Sequence, residues 1–152
     1  MLPDSIVRVG DLSPIRFEHA LPCGPDHAFA VYTGRIGDWW HPDYTANAGT
    51  FEAVTIEPRV GGRVYATHSD LGEHEWGAVT VFESGRRLVH TFTLAQDPES
   101  PSEVTAEFVA DGDGSVVRFV HGGWTEANVA DRKKFGDWPV LLDRFAALAA
   151  GG

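Results

Sequence analysis

Hydrophobic and polar positions first alternate over a short stretch near the beginning of the chain. In residues 15–21, Phe17 and Leu21 fall on one side and Glu18 falls on the other. Such alternation is typical of a β-strand that is buried on one face. The preceding residues 1–14 show no periodic pattern and are interrupted by prolines and a glycine, which predicts an N-terminal arm.

Two short helical pieces are predicted after this strand. Pro25 and Asp26 begin the first piece, because proline suits a first helical turn and a carboxylate there meets the positive end of the helix dipole. Gly34 ends it. The second piece carries the adjacent tryptophans Trp39 and Trp40 and stops at the His-Pro pair that follows them.

Strand and turn signals then continue as far as residue 122. The predicted strands are residues 51–57, 63–68, 75–83, 87–94, 103–109 and 115–122. Gly77 lies inside the third of these strands, which predicts a bulge or a close backbone approach. Because short turns join consecutive strands, the pattern indicates an antiparallel meander.

The C-terminal region changes to a helical period. A first helical piece is predicted over residues 126–135, and Asp137 can cap a second one after Gly136. The apolar residues of the second piece recur at helical spacing, and they are Trp138, Leu141, Leu142, Phe145, Leu148 and Ala149. Such a stripe is the buried face of an amphipathic helix.

This order of elements predicts an α+β fold in a single domain over residues 15–150. The simplest packing curls an antiparallel sheet of about six to seven strands around the long C-terminal helix. A curved sheet and a straight helix do not fill the volume between them. The expected result is a pocket between the two layers, which is a common place for a small apolar ligand.

Composition and net charge disfavour some classes of binding partner. The chain has 152 residues, of which 43% are hydrophobic, as expected for a globular domain. Its formal net charge of −10 disfavours nucleic acid and anionic membrane surfaces as partners. There is one cysteine, Cys23, and the N-terminus lacks the basic and apolar regions of a secretory signal. Both features predict a cytoplasmic protein.

An ordered set of short motifs resembles one known family. The motifs are Trp39-Trp40, Gly61-Gly62-Arg63, Trp76-Gly77-Ala78-Val79, His121-Gly122-Gly123-Trp124 and Gly136-Asp137-Trp138. Over residues 15–149 this set is similar to the activator-of-heat-shock-ATPase homologue family, within the START-like (SRPBCC) helix-grip superfamily. The resemblance implies a sheet that grips the C-terminal helix around an apolar cavity. Members of that superfamily carry lipids, bind hormones or cyclise polyketides.

Aromatic residues supply most of the candidate ligand-binding positions. Five tryptophans and nine phenylalanines are many for this length, and such side chains either line a cavity or fill a core. The predicted ligand-binding set is Trp39, Trp40, Tyr65, Trp76, His90, Phe92, Phe108, Phe119, Trp138, Leu142 and Phe145. Core packing without a ligand explains the same pattern, so both interpretations stay open.

Histidines supply the polar candidates. His90 is the one catalytic candidate, since a histidine can act as acid or base near neutral pH, but a buried histidine satisfied by a backbone group explains it as well. His68, Asp70 and His74 crowd one hairpin, where polar residues are expected at an exposed tip. A metal site needs several converging ligands with supporting contacts. Neither a metal nor any other cofactor is therefore predicted.

Three functions remain as alternatives. The first is binding of a small apolar or aromatic ligand, with no physiological role assigned. The second is a polyketide cyclase- or aromatase-like enzyme that uses the same cavity, with His90 as its ionisable group. The third is a cochaperone-like interaction module whose acidic surface meets a basic partner. An exposed sheet edge also permits a homodimer.

Overall fold

The computed structural model describes residues 11–151, which form a strand, two short helices, a run of strands and a long helix. The first elements are β1 (Ile15–Leu21), α1 (Pro25–Gly34), α2 (Ile36–Trp39) and a 3-10 turn at Pro42–Tyr44. The following strands are β2 (Phe51–Ile56), β3 (Arg63–His68), β4 (Gly72–Glu83), β5 (Arg87–Phe92), β6 (Ser102–Asp111) and β7 (Gly114–Gly122). A 3-10 helix (Val129–Phe135) precedes α3 (Trp138–Gly151).

The strands form one antiparallel sheet with the spatial order β1-β7-β6-β5-β4-β3-β2. Strands β2 to β7 follow one another as a meander, whereas β1 crosses to the far side and pairs with β7, with Phe17 opposite Phe119. The sheet curls into a half-barrel around the C-terminal helix. The predicted helix-grip, START-like fold is therefore confirmed.

Gly77 marks the sharpest irregularity of the sheet. The register of β3 against β4 shifts at Tyr65, which leaves Trp76 as the extra residue of a bulge. A Cβ atom on Gly77 would overlap the backbone carbonyl of Thr91 on β5. Bulges increase the local bend of a strand. The predicted bulge and close approach both occur here, at the point where the sheet turns around the helix.

Aromatic rings fill most of the space between the sheet and α3. The ring of Phe145 is fully buried, and its centroid lies 5.3 Å from that of Tyr32 and 5.5 Å from that of Trp39. Further ring contacts join Trp39 to Trp40 and Trp40 to Trp76. Burial of such large apolar surfaces is the main stabilising contribution to this fold.

The segment before α3 differs from the prediction. Residues 126–135 were expected to be helical, but a 3-10 helix begins only at Val129. The reason is Asn128, whose side-chain amide donates to the carbonyl oxygens of Ser100, Pro101 and Gly123 at 3.2 Å. These bonds tie the segment to the β5–β6 loop and prevent a regular helical turn there.

The predicted arm, residues 1–14, falls mostly on residues 1–10, which lie outside the described residues. Residues 11–14 lead directly into β1. No helix between residues 11 and 151 has the length and apolarity needed to cross a membrane.

Candidate ligand-binding site

A cavity of about 200 Å³ opens between the first turn of α3 and the connection from β5 to β6. Its wall is apolar and consists of Trp40, Phe92, Leu94, Phe135, Trp138 and Leu141. Its rim is polar and consists of Asp43, Tyr44, Thr45, Lys134 and Asp137, with the backbone of Ala95 beside them. The cavity therefore combines an apolar interior with a charged entrance.

One side of the entrance is held by the 3-10 turn after α2. The indole N–H of Trp40 donates to the carbonyl oxygen of Tyr44 at 3.0 Å, which folds this turn back over the tryptophan. The Tyr44 hydroxyl donates to the Asp137 carboxylate at 3.0 Å. That hydrogen bond raises the pKa of Tyr44 above its ordinary value. The turn is thus fastened to the residue that precedes α3.

The opposite side of the entrance is held by Lys134. Its ammonium group donates to the carbonyl oxygen of Ala95 at 2.8 Å and lies 2.6 Å from the Asp131 carboxylate. Ala95 has a φ of 61°, in the left-handed region. This conformation is unfavourable for a residue other than glycine, and it occurs where the chain leaves β5 and passes the cavity.

A buried polar network lies directly behind the cavity wall. The indole N–H of Trp138 donates to Nδ1 of His121 at 3.1 Å. Since Nδ1 accepts, a neutral His121 carries its proton on Nε2, which lies 2.7 Å from the Ser102 hydroxyl. The hydroxyl in turn donates to the Gln96 side-chain oxygen at 2.7 Å. Each group in this network therefore donates a hydrogen bond to the next, from Trp138 through His121 and Ser102 to Gln96.

This network is not a nucleophilic Ser–His pair. A histidine that activates serine must accept the hydroxyl proton on the facing nitrogen, whereas Nε2 of His121 is the donor toward Ser102. Burial, with the nearby His90 and Arg132 as smaller causes, lowers the pKa of His121 to about 3. The neutral imidazole is therefore a fixed structural group that orients the Trp138 ring.

His90 is held in the core by its own strand. It is 4% exposed, and its Nδ1 lies 2.7 Å from the carbonyl oxygen of Thr91. Burial lowers the pKa of His90 to about 4. In the structure, His90 is therefore a buried histidine whose ring is hydrogen-bonded to a backbone carbonyl group. It is not among the residues that line the cavity.

The predicted ligand-binding residues fall into three locations. Three of them line the cavity, namely Trp40, Phe92 and Trp138. Seven are buried in the core away from it, namely Trp39, Trp76, His90, Phe108, Phe119, Leu142 and Phe145. Tyr65 lies on the outer face of β3, under the Arg63 guanidinium at 4.2 Å, because its neighbours Val64 and Ala66 point inward.

Sequence reasoning missed several residues of the site. Leu94 and Phe135 both line the cavity. Leu94 follows the end of β5, and Phe135 is the last residue of the 3-10 helix that precedes α3. His121 shares the inward face of β7 with Phe119, so strand parity gave a signal for a buried polar group there. Its partner on α3 could not be read from spacing, since Trp138 lies 17 residues away.

A larger and more open cleft of about 750 Å³ adjoins the cavity. The two share Thr45, Leu94, Ala95 and Lys134 on their common border. His74 lies on the cleft wall, 6.4 Å from His68 between ring centroids. Within residues 11–151, no three histidine, cysteine, aspartate or glutamate side chains come together as metal ligands.

Three solved structures illustrate what this chain is similar to. Protein MLL2253 from Mesorhizobium loti is 21% identical with a TM-score of 0.67, and the match covers 90% of this chain and 96% of that one. The Aha1 dimer from Colwellia psychrerythraea is 16% identical with a TM-score of 0.67, covering 91% and 96%. The anthrahydroquino-gamma-pyrone synthase Txn09 is 25% identical with a TM-score of 0.61, covering 90% and 97%.

Comparison of the sequence with known proteins and with protein families identifies the family. None of the curated proteins matches the chain. The model of one family, described as activator of Hsp90 ATPase homolog 1-like protein, matches residues 24–150. That match runs from the start of α1 to the penultimate residue of α3. The chain therefore belongs to the activator of Hsp90 ATPase homolog 1-like protein family.

Proposed function

We propose that residues 15–150 form one domain that binds a small aromatic molecule in the cavity beside the first turn of α3. The observation that carries the proposal is a preformed cavity of about 200 Å³ with six apolar side chains in its wall. Preformed apolar cavities with a few polar groups at the edge are the usual form of small-molecule sites. Burial of the ligand surface contributes roughly 25 cal/mol per Å² before ordering costs.

The filled core limits the size of the ligand. Phe145, Trp39 and Trp76 occupy the deeper volume between the sheet and α3, so a ligand reaches only the end of the half-barrel. An engineered apolar cavity of about 150 Å³ accepts benzene. A cavity of about 200 Å³ therefore suits one ring or two fused rings, with any polar extension directed into the adjoining cleft.

A cavity-filling variant tests the proposal. In Leu94→Trp the larger side chain occupies the cavity, and we expect indole and naphthalene to bind at least tenfold more weakly than to the unaltered chain. Binding is measured from NMR chemical-shift changes of the aromatic and methyl groups around the cavity. The matched control is Val140→Trp, which adds the same ring on α3 at an exposed position. Equal binding to Leu94→Trp and the unaltered chain would overturn the proposal.

A second candidate is a polyketide cyclase- or aromatase-like enzyme. The observation in its favour is the likeness to Txn09, which is described as an anthrahydroquino-gamma-pyrone synthase and is 25% identical over 90% of this chain. In this hypothesis His90 is the ionisable group, and the Phe92 ring, whose centroid lies 5.9 Å away, must turn aside before His90 can meet a ligand. Turnover of a candidate polyketide that persists in His90→Ala would exclude this role.

A homodimer is a further proposal for the assembly state. The related protein from Colwellia psychrerythraea is described as a dimer, and β1 and β2 are the two edges of the sheet in this chain. Unpaired strand edges are common sites of association. Light scattering coupled to size-exclusion chromatography measures the mass in solution, and the mass of one chain at all concentrations would exclude the dimer.

A further inference from the structure

Three buried polar atoms lack a hydrogen-bond partner among residues 11–151. They are Nε2 of His68, Nδ1 of His74 and the indole nitrogen of Trp76. His68 is the last residue of β3, His74 and Trp76 lie on the paired strand β4, and His68 is only 2% exposed. A buried polar atom without a partner costs about 1–3 kcal/mol, so such a group in a folded protein calls for an unseen partner.

The two histidines have the spacing for one shared oxygen atom. Their ring centroids lie 6.4 Å apart with the ring planes tilted by 58°. One oxygen that makes two hydrogen bonds of about 2.9 Å joins nitrogens up to about 5.8 Å apart, so it fits here where each ring turns its unpartnered nitrogen toward the other. A buried water with polar partners on both sides meets this description.

Thr50 sets the direction of the hydrogen bonds around His68. The Thr50 hydroxyl lies 3.0 Å from Nδ1 of His68 and 3.4 Å from the carbonyl oxygen of Asn47. Its hydrogen bond to the Asp70 carboxyl is the largest cause that lowers the pKa of that group. Since the hydroxyl has one proton and two oxygen acceptors, Nδ1 of His68 donates to Thr50. Nε2 of His68 is then unprotonated and accepts.

His74 connects this series of hydrogen bonds to the cleft. Its Nδ1 is buried, while the residue is only partly buried and lines the cleft of about 750 Å³. With a bridging water that donates to Nε2 of His68 and accepts a hydrogen bond from Nδ1–H of His74, the Nε2 atom of His74 is left unprotonated at the cleft.

We propose that His74 is a hydrogen-bond-accepting site of the cleft, positioned through a bridging water by His68 and Thr50. Its ligands are compounds with a weakly acidic hydroxyl group, such as phenols and enols. The ligand hydroxyl donates a hydrogen bond to Nε2 of His74, and no covalent bond changes. His74 is the residue that touches the ligand, and His68 and Thr50 are positioning residues.

The charges around His74 suit a base that is neutral at rest. Burial, and then the nearby His68, lower the pKa of His74 below its ordinary value. The charged groups that share the cleft with it are Glu75, Asp97, Asp131 and Lys134. The lowered pKa keeps the imidazole neutral near neutral pH, and a neutral imidazole can accept a hydrogen bond on its unprotonated nitrogen.

The first test is the tautomer of each histidine in the free protein, measured by long-range ¹H–¹⁵N NMR. The expected result is protonated Nδ1 and unprotonated Nε2 in both His68 and His74. Thr50→Val removes the hydroxyl and should shift His68 toward the other tautomer, whereas Thr50→Ser keeps the hydroxyl and should preserve it. A protonated Nε2 in His68 of the unaltered chain would overturn the proposal, whether or not Thr50→Val folds.

The second test is the rate at which diethyl pyrocarbonate acylates each histidine, followed by mass spectrometry above the pKa of all histidines. His74 should react at least threefold faster than His19, and Asp70→Asn should remove most of this advantage. The matched control is Glu75→Gln, which removes the same charge directly beside His74 but outside the chain of hydrogen bonds. An equal effect of both variants, or a His74 no faster than His19, contradicts the proposal. Neither test depends on whether the aromatic cavity binds a ligand.

Discussion

The Tyr44 hydroxyl donates a hydrogen bond to the Asp137 carboxylate at 3.0 Å and joins two segments that are 93 residues apart in the chain. One segment follows α2 and the other precedes α3, so this bond closes one side of the cavity entrance. Asp137 is exposed and Tyr44 is partly buried, and a hydrogen bond at such a position contributes little to the stability of the fold. We therefore expect it to act on access to the cavity.

Removal of this bond should change the rates of ligand exchange. In Tyr44→Phe we expect indole to associate and dissociate several-fold faster with nearly unchanged affinity, because the ring stays in place while the contact to Asp137 is lost. The free energy of unfolding should change by less than about 1 kcal/mol. NMR line-shape analysis measures the rates. Unchanged rates in Tyr44→Phe would show that the bond does not control entry.

The Trp138–His121 bond should stabilise the fold. Trp138→Phe leaves Nδ1 of His121 buried without a donor, which costs about 1–3 kcal/mol in addition to the loss of ring size. Urea unfolding measures the change. A double-mutant cycle with His121→Phe separates the polar contribution from the packing contribution. A coupling energy near zero in that cycle would contradict the assigned hydrogen bond.

Phe145 should be among the most sensitive positions of the core. It is fully buried between Tyr32, Trp39 and Phe108, and Phe145→Ala should lower the free energy of unfolding by about 3–5 kcal/mol. Val140 lies on the same helix but is 44% exposed. Val140→Ala is therefore the control, with an expected change below about 0.5 kcal/mol in the same urea unfolding experiment. Similar changes in both variants would argue against the assigned core.

The two buried histidines should make stability depend on pH in mildly acidic solution. In the folded chain the pKa is about 4 for His90 and about 3 for His121, below the ordinary value of 6.5. The unfolded chain therefore binds more protons below about pH 6.5, and the free energy of unfolding falls as the pH falls toward about 4. The slope is up to about 1.4 kcal/mol per pH unit for each histidine.

Urea unfolding between about pH 7 and about pH 5 measures this slope, because carboxyl groups titrate mainly below that range. In His90→Asn, whose amide can still donate to the Thr91 carbonyl, the slope should fall by about a third to a half, because His121 and His74, whose pKa values are also lowered, keep their contributions. A slope that stays the same in His90→Asn would show that His90 is not a cause of the acid sensitivity.

Ala95 offers a stabilising substitution. Its φ of 61° is unfavourable for any residue with a Cβ atom, so Ala95→Gly should raise the free energy of unfolding by about 0.5–1 kcal/mol. The matched control is Ala20→Gly on the exposed side of β1, which should lower the free energy of unfolding by about the same amount. Thermal unfolding distinguishes the two, and a decrease in both variants would contradict the assigned strain.

Much of the fold could be predicted because its signals are local. The alternation around Phe17, the helical stripe around Phe145 and the glycine inside β4 each reflect the period or the steric limits of one element. The segment near Asn128 could not be predicted, because its conformation depends on carbonyl groups more than twenty residues earlier in the chain.

The candidate site, like the fold, could be predicted from the sequence only in part. The sequence alone determined that aromatic side chains would cover the inner face of the sheet, since residue type and strand parity set which side each one occupies. Only the tertiary structure decided which of them fill the core, as Phe145 and Trp39 do, and which stop short and leave a cavity, as Phe92 and Trp138 do. The reason is that empty volume depends on how distant side chains fit together in three dimensions, and no spacing along the chain records that fit.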